Sequence, residues 1–237
     1  MKDKKKELIN IINELSKTKD RKQVYDEILK MLTYSLAQAG SYNRTQEANF
    51  FKIIDTYTEK EQEELTKFLM ILSYECTNNP ETDVLGEIYE EFNMQEKSKG
   101  QIFTPNSISK MLSDISMTKD EAIRIIDEDG YISISDMACG SGRLISESYN
   151  RLIDWGIEPN KIVLFADDID LRCCCMTFIQ LDLKGANAIV RHRDSLSGKT
   201  YDTFYSGFLR ENPYLLKKLG ITINHRTKKD KFQENER

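Results

Sequence analysis

The chain has 237 residues, of which 39% are apolar and 31% charged, and its net charge is −5. Adding the 11 glycines brings the apolar share to about 44%, an ordinary globular composition with enough Leu, Ile, Phe and Tyr to fill a core. No stretch approaches the roughly eighteen apolar residues of a membrane span, and a negative balance excludes a protein wrapped broadly by nucleic acid, so any DNA contact is expected to be local.

The N-terminal segment MKDKKKELINIINEL is basic and then amphipathic, without the apolar block and cleavage site of a secretory signal. Five cysteines, three of them adjacent, argue against a disulfide scaffold and predict a reducing, cytoplasmic setting. Leu8, Ile11, Ile12 and Leu15 recur at helical spacing, as do Val24, Ile28, Leu32 and Leu36. Thr58 followed by Glu61 has the capping-box spacing and opens a helix carrying Leu65, Phe68, Leu69 and Leu72, which the NNP at 78–80 closes. Val84, Leu85, Ile88, Tyr89 and Phe92 form one more apolar stripe. Pro80 is the only proline before residue 100, so residues 1–98 are expected to form an all-helical N-terminal domain whose stripes are core.

From residue 100 the pattern becomes strand alternating with helix. YISIS at 131–135 alternates with β-branched residues, and an apolar-periodic helix follows from about Ser141 to Trp155. IVLFA at 162–166 is a continuous apolar run suited to a strand covered on both faces. A helical stretch from about Asp170 to Leu183 and a short strand at Ala188–Val190 come next. This order predicts an α/β fold with a parallel, doubly wound Rossmann-like sheet, in which ligands sit at the carboxyl ends of the strands.

The loops DMACGSG (136–142) and ADDID (166–170) fall on that edge. Gly140 and Gly142 permit a tight turn and close approach of a ligand to backbone amides at a helix start. A GxG after a strand is shared by several classes of nucleotide-type binders, while the absence of GxxxxGK[ST] argues against a P-loop. In Asp167, Asp168 and Asp170 a carboxylate stands where such folds bind ribose hydroxyls; the alternative is that these acids only cap the next helix. Cys173, Cys174 and Cys175 point about 100° apart on a helix and cannot converge on one zinc, so no metal site is expected.

The ordered set DVLGEIYE (83–90), KGQIFTP (99–105), DMACGSG (136–142), ADDID (166–170) and RDSL (193–196) resembles the N6-adenine DNA methyltransferase family, and most closely the modification subunits of type I restriction systems. The resemblance covers about residues 83–200. It implies an S-adenosylmethionine-dependent methyltransferase domain, expected over residues 99–210, with a polar, basic tail at 211–237. It also implies S-adenosylmethionine as cofactor. Phe103, Thr104 and Pro105 would line its methionine end, and Asp136, Ala138, Gly140 and Gly142 would form the loop beside its amino-acid and ribose portions. Asp168 would accept the ribose hydroxyls and Asp194 would contact the adenine amine. For Asp194 a turn residue, and for Phe103 a core aromatic, remain the alternatives.

Family members hold the target amine with a Pro-Pro-aromatic motif after the fourth strand, which also stacks on the extruded base. In YDTFYSGFLRENPYLLKKLG no Pro-Pro occurs, and Asn212-Pro213-Tyr214 is a partial echo, later than expected. The resemblance therefore implies either adenine methylation with a divergent site or a partner's help, or a catalytically inactive interaction or assembly protein. The expected partners are DNA reached through a partner subunit, and a protein partner or second copy; no membrane is expected. The sheet is expected to be truncated, because the later strands and a target-recognition domain do not fit in what remains.

Overall fold

A computed structural model describes residues 2–94, 104 and 106–226. The first half is helical, as the apolar periodicities predict: α1 (Lys2–Leu15), α2 (Arg21–Gly40), α3 (Arg44–Ile54), α4 (Glu59–Asn78) and α5 (Val84–Glu91). Thr58 and Glu61 form the predicted capping box, each side chain bonded to the other's backbone amide. Asp20 caps α2 and Asp83 caps α5. Two further helices not read from the sequence follow, α6 (Asn106–Ser116) and α7 (Lys119–Asp129).

The α/β half contains β1 (Ile132–Asp136), α8 (Arg143–Asp154), β2 (Ile162–Asp168), α9 (Leu171–Leu183), β3 (Ala188–Arg193) and β4 (Thr200–Tyr205). Two short helices, α10 (Gly207–Arg210) and α11 (Pro213–Leu219), end the described chain. The sheet order is β1-β2-β3-β4. β1, β2 and β3 are parallel, with Ile134 opposite Leu164 and Ala166 opposite Val190. β4 runs antiparallel to β3, with Val190 opposite Phe204. The sheet is thus mixed where a wholly parallel one was expected. The connection between β3 and β4 spans only 194–199, far too short for the crossover of a dozen or more residues that a parallel strand needs.

The two faces of the sheet bury alternate residues. Ile132, Ile162, Leu164, Ala166 and Val190 pack with Ile145 and Leu152 of α8 and with Cys174, Phe178 and Leu181 of α9. Val163 and Ile189 face the other way, onto Leu209 and Leu215 of α10 and α11. This two-sided cover explains the unbroken apolar run of β2. α9 is shared between two cores: Cys173, Cys175, Met176 and Ile179 turn away from the sheet into the cluster formed by α1, α2, α4 and α5. The adjacent cysteines are therefore packing residues on two sides of one buried helix, and all five thiols are free. Among the described residues no helix is long and apolar enough to cross a membrane.

Candidate functional site

Three loops meet at the carboxyl edge of the parallel strands. The first follows β1, where the Asp136 carboxylate accepts the Ala138 amide at 3.1 Å and so closes a tight turn. The Cys139 amide then donates to the Asp167 carbonyl at 3.0 Å, tying this loop to the end of β2. Gly140 and Gly142 have φ of +56° and +88°, the left-handed region where a side chain is disfavoured. At Gly142 space imposes the same choice, since a Cβ would lie 2.8 Å from Thr177 Oγ1.

Gly142 is also the N-cap of α8 and offers no side chain to its first-turn amides. Asp20, Thr58, Asp83 and Asp170 do cap α2, α4, α5 and α9. α8 thus differs from these helices in presenting its N-terminal amides beside a glycine loop without a carboxylate or hydroxyl cap.

The acidic loop after β2 divides into three tasks. Asp167 is buried and takes a two-pronged contact from Arg191, at 2.5 and 2.8 Å, so its charge is spent inside the sheet edge. Asp170 caps α9 through the Arg172 amide at 2.9 Å. Asp168 accepts the Gly140 amide at 2.9 Å on one oxygen and the Asp170 amide at 2.8 Å on the other. A carboxylate offers about four acceptor positions, so Asp168 retains capacity toward a ligand lying over Gly140. Burial pushes its carboxyl above the ordinary range, against the pull of the two amides. Asp136 is raised too, first by burial.

The third loop is the β3–β4 turn. Ser195 donates to the Met137 carbonyl at 2.7 Å, which brings this turn against the glycine loop. Asp194 stands at the same edge, but its carboxylate accepts the Leu196 and Ser197 amides at 3.0 and 3.2 Å and the Ser197 hydroxyl at 2.7 Å. Those bonds lower its pKa and make the turn its observed partner. Thr104 joins the group from outside the sheet: its carbonyl accepts Arg143 Nη1 at 2.9 Å. Phe103 and Pro105 lie outside the described residues.

Asn212, Pro213 and Tyr214 are not brought to this edge. Asn212 caps α11 and donates to the Asn160 carbonyl at 2.8 Å, beside the start of β2, while the Tyr214 hydroxyl donates to the Asp129 carbonyl at 3.3 Å, before β1. They sit at the opposite ends of the strands from the glycine loop, roughly 20 Å away along a seven-residue strand. In the structure Asn212 caps a helix and Tyr214 anchors the cover of the second sheet face.

Sequence reasoning assigned no role to Asp83, Arg143, Thr177 or Gln180. Three of them hold the glycine loop from behind: the Thr177 hydroxyl donates to the Gly140 carbonyl at 3.1 Å, Gln180 Nε2 donates to the Ser141 carbonyl at 2.9 Å, and Asp83 accepts the Ser141 hydroxyl, while Arg143 bonds to Asp83. Only the aspartate at the head of DVLGEIYE carried a signal, as the cap of a short helix.

Residues 80–234 match the N-6 DNA Methylase family. The chain belongs to that family. It is 30% identical over 130 residues to the type I restriction enzyme MjaIX methylase subunit of Methanocaldococcus jannaschii, covering 51% of this chain and 21% of that one. It is also 30% identical over 166 residues to the MpnII methylase subunit of Mycoplasma pneumoniae, covering 66% and 28%. The chain spans only 21% and 28% of the length of these two curated relatives. A solved Listeria monocytogenes structure, described as a class I S-adenosylmethionine-dependent methyltransferase, aligns over 85% of this chain and 57% of its own. The identity is 17% and the TM-score 0.42.

Proposed function

We propose that this chain binds S-adenosylmethionine at the edge formed by residues 136–142 and 167–170, and serves as the cofactor-binding part of an adenine DNA methylase. The single observation that carries the reading is the bond between the Gly140 amide and the Asp168 carboxylate. It sets a backbone that admits close approach beside an acceptor suited to two ribose hydroxyls. Gly142 and the uncapped start of α8 add donors for the polar end of the ligand, and Thr104 lies within reach of the same helix through Arg143. The bound cofactor would supply an electrophilic methyl group. The residues of this chain hold and orient it, with Asp168 fixing the ribose and the glycine loop excluding bulk from its path.

Methyl transfer to an exocyclic amine also requires fixed polar groups that align the nitrogen with the methyl, and an aromatic that offsets the cost of extruding the base. Asn212 and Tyr214 stand at the far end of the strands, so in this reading those groups come from a partner polypeptide that also grips DNA, as in an enzyme built of subunits. The test is transfer of tritiated methyl to unmethylated DNA, by the chain alone and with added modification and specificity subunits of a type I restriction system. The chain alone is expected to bind cofactor in calorimetry and to methylate nothing. No heat of binding at millimolar S-adenosylmethionine overturns the cofactor reading; adenine methylation by the isolated chain overturns the assignment of the amine-holding groups to a partner.

A further inference from the structure

Asp83 is 3% exposed and receives four donors on its two oxygens. Oδ1 accepts the Gly86 amide at 2.9 Å and Gln180 Nε2 at 3.0 Å. Oδ2 accepts Arg143 Nε at 3.1 Å and the Ser141 hydroxyl. Only the first of these is helix capping. The other three come from α9, from the start of α8 and from the glycine loop itself.

A cap does not require burial or this many partners. Thr58 caps α4 from an exposed position using Glu61 alone. Burying a carboxylate is costly unless its lone pairs are filled and its charge is paired, and here the filling is done by groups that shape one loop. The network continues outward. Gln180 uses the same Nε2 to hold the Ser141 carbonyl, and Arg143, its side chain 11% exposed, reaches from Asp83 to the Thr104 carbonyl. The carboxylate that caps α5 thereby fixes both Ser141, between the two glycines, and, through Arg143, Thr104.

We propose that Asp83 is a positioning residue of the cofactor site: through Ser141 and Arg143 it sets the spacing between the glycine loop and Thr104, so that one ligand can touch both. The proposal rests on the cofactor reading above. Its consequence is that the helical half takes part in ligand affinity without contacting the ligand, because the distance between the glycine loop and Thr104 is defined by the side chain that caps α5. Misplacing a preorganised group by a fraction of an ångström is enough to lose affinity.

The test uses the full chain with Asp83→Asn, Arg143→Lys and Ser141→Ala. Calorimetry is run with both S-adenosylmethionine and adenosine, and amide hydrogen exchange is followed over residues 136–146. Asp83→Asn keeps the shape but presents a donor to groups that donate. It is expected to weaken S-adenosylmethionine about tenfold or more and to speed exchange at Gly140 and Ser141, with the helical signal retained. Arg143→Lys keeps a cation beside Asp83 but cannot span to Thr104. It is expected to leave adenosine binding within about twofold while S-adenosylmethionine weakens about tenfold. A purely structural role would lower stability and weaken both ligands in parallel. That parallel loss, or wild-type affinity and exchange in Asp83→Asn, overturns the proposal. Should Asp83→Asn not fold, Arg143→Lys and Ser141→Ala decide through the same two readouts. A wild-type chain that binds neither ligand overturns the cofactor reading itself, whereas a binding wild type with unaffected variants overturns only the role of Asp83.

Discussion

The Gly140 amide points at Oδ2 of Asp168 across 2.9 Å, joining the loop after β1 to the end of β2. The bond gives the loop its shape and leaves the carboxylate beside Gly140, where no side chain blocks a ligand. Asp168→Ala is therefore expected to weaken S-adenosylmethionine by about 1.5–3 kcal/mol, the scale of a hydrogen bond to a charged group. Calorimetry checks it, and an unchanged affinity would mean the ribose lies elsewhere.

Affinity and stability should respond to pH in opposite senses. Burial raises the carboxyls of Asp136, Asp168 and Asp182. A raised folded-state pKa means the folded protein holds the proton more tightly than the unfolded chain, so these groups contribute less stability as pH rises from the ordinary Asp value through the raised one. Ribose hydroxyls need Asp168 ionised, so cofactor affinity falls as pH drops through the same window. Thermal shifts with and without cofactor, from about pH 4.5 to pH 7, should show the cofactor's stabilising increment growing with pH. An increment constant over that range would exclude Asp168 as the acceptor.

Gly142→Ala is expected to destabilise the protein by about 1–3 kcal/mol, from a positive φ together with crowding against Thr177. Adding Thr177→Ala removes the two nearest crowding atoms, Oγ1 and Cγ2, and should recover part of the loss. Chemical denaturation of the single and double variants separates the two contributions.

The thiols should be silent in the native state. Burial raises all five, Cys76 to about 11 and Cys175 to about 12. A disulfide reagent at about pH 8 should titrate almost none in the native protein and five after unfolding. Fast labelling of Cys173, Cys174 or Cys175 would contradict the placement of α9 between two cores.

Asn212→Ala should leave cofactor affinity unchanged and cost about 1 kcal/mol of stability, the loss of a helix cap. Reduced affinity without reduced stability would return this asparagine to the ligand site.

What the sequence made legible was what local chemistry decides. The Thr58–Glu61 box, the glycine loop and the apolar run of β2 each carry their own signature in neighbouring residues, and each appears where its pattern puts it. The mixed sheet was less legible because TYDTFY fits a strand of either direction; only the short 194–199 connection fixes it as a hairpin. In α6 the apolar residues Met111 and Ile115 are solvent-facing while Ser109 and Ser113 are buried, so its pattern reads against its placement. The support of the site was hidden for a different reason. Asp83 and Ser141 are 58 residues apart, and no periodicity links an N-cap to a loop in the other half of the chain. Among the three acids of the β2 loop the sequence marked the cluster, but their division of labour depends on Arg191, which is a neighbour only across the sheet.

The position of α9 governs how the chain is made. Ile28 and Leu29 of α2 share their cluster with Cys173, Cys175 and Met176, so the early helices emerge from the ribosome about 140 residues before the helix that completes their core. At about 5–20 residues per second this is a wait of roughly 7–30 s before the face shared with α9 is covered. During that interval the early helices can pack on one another, and the face of α2 that α9 later covers is the part left open.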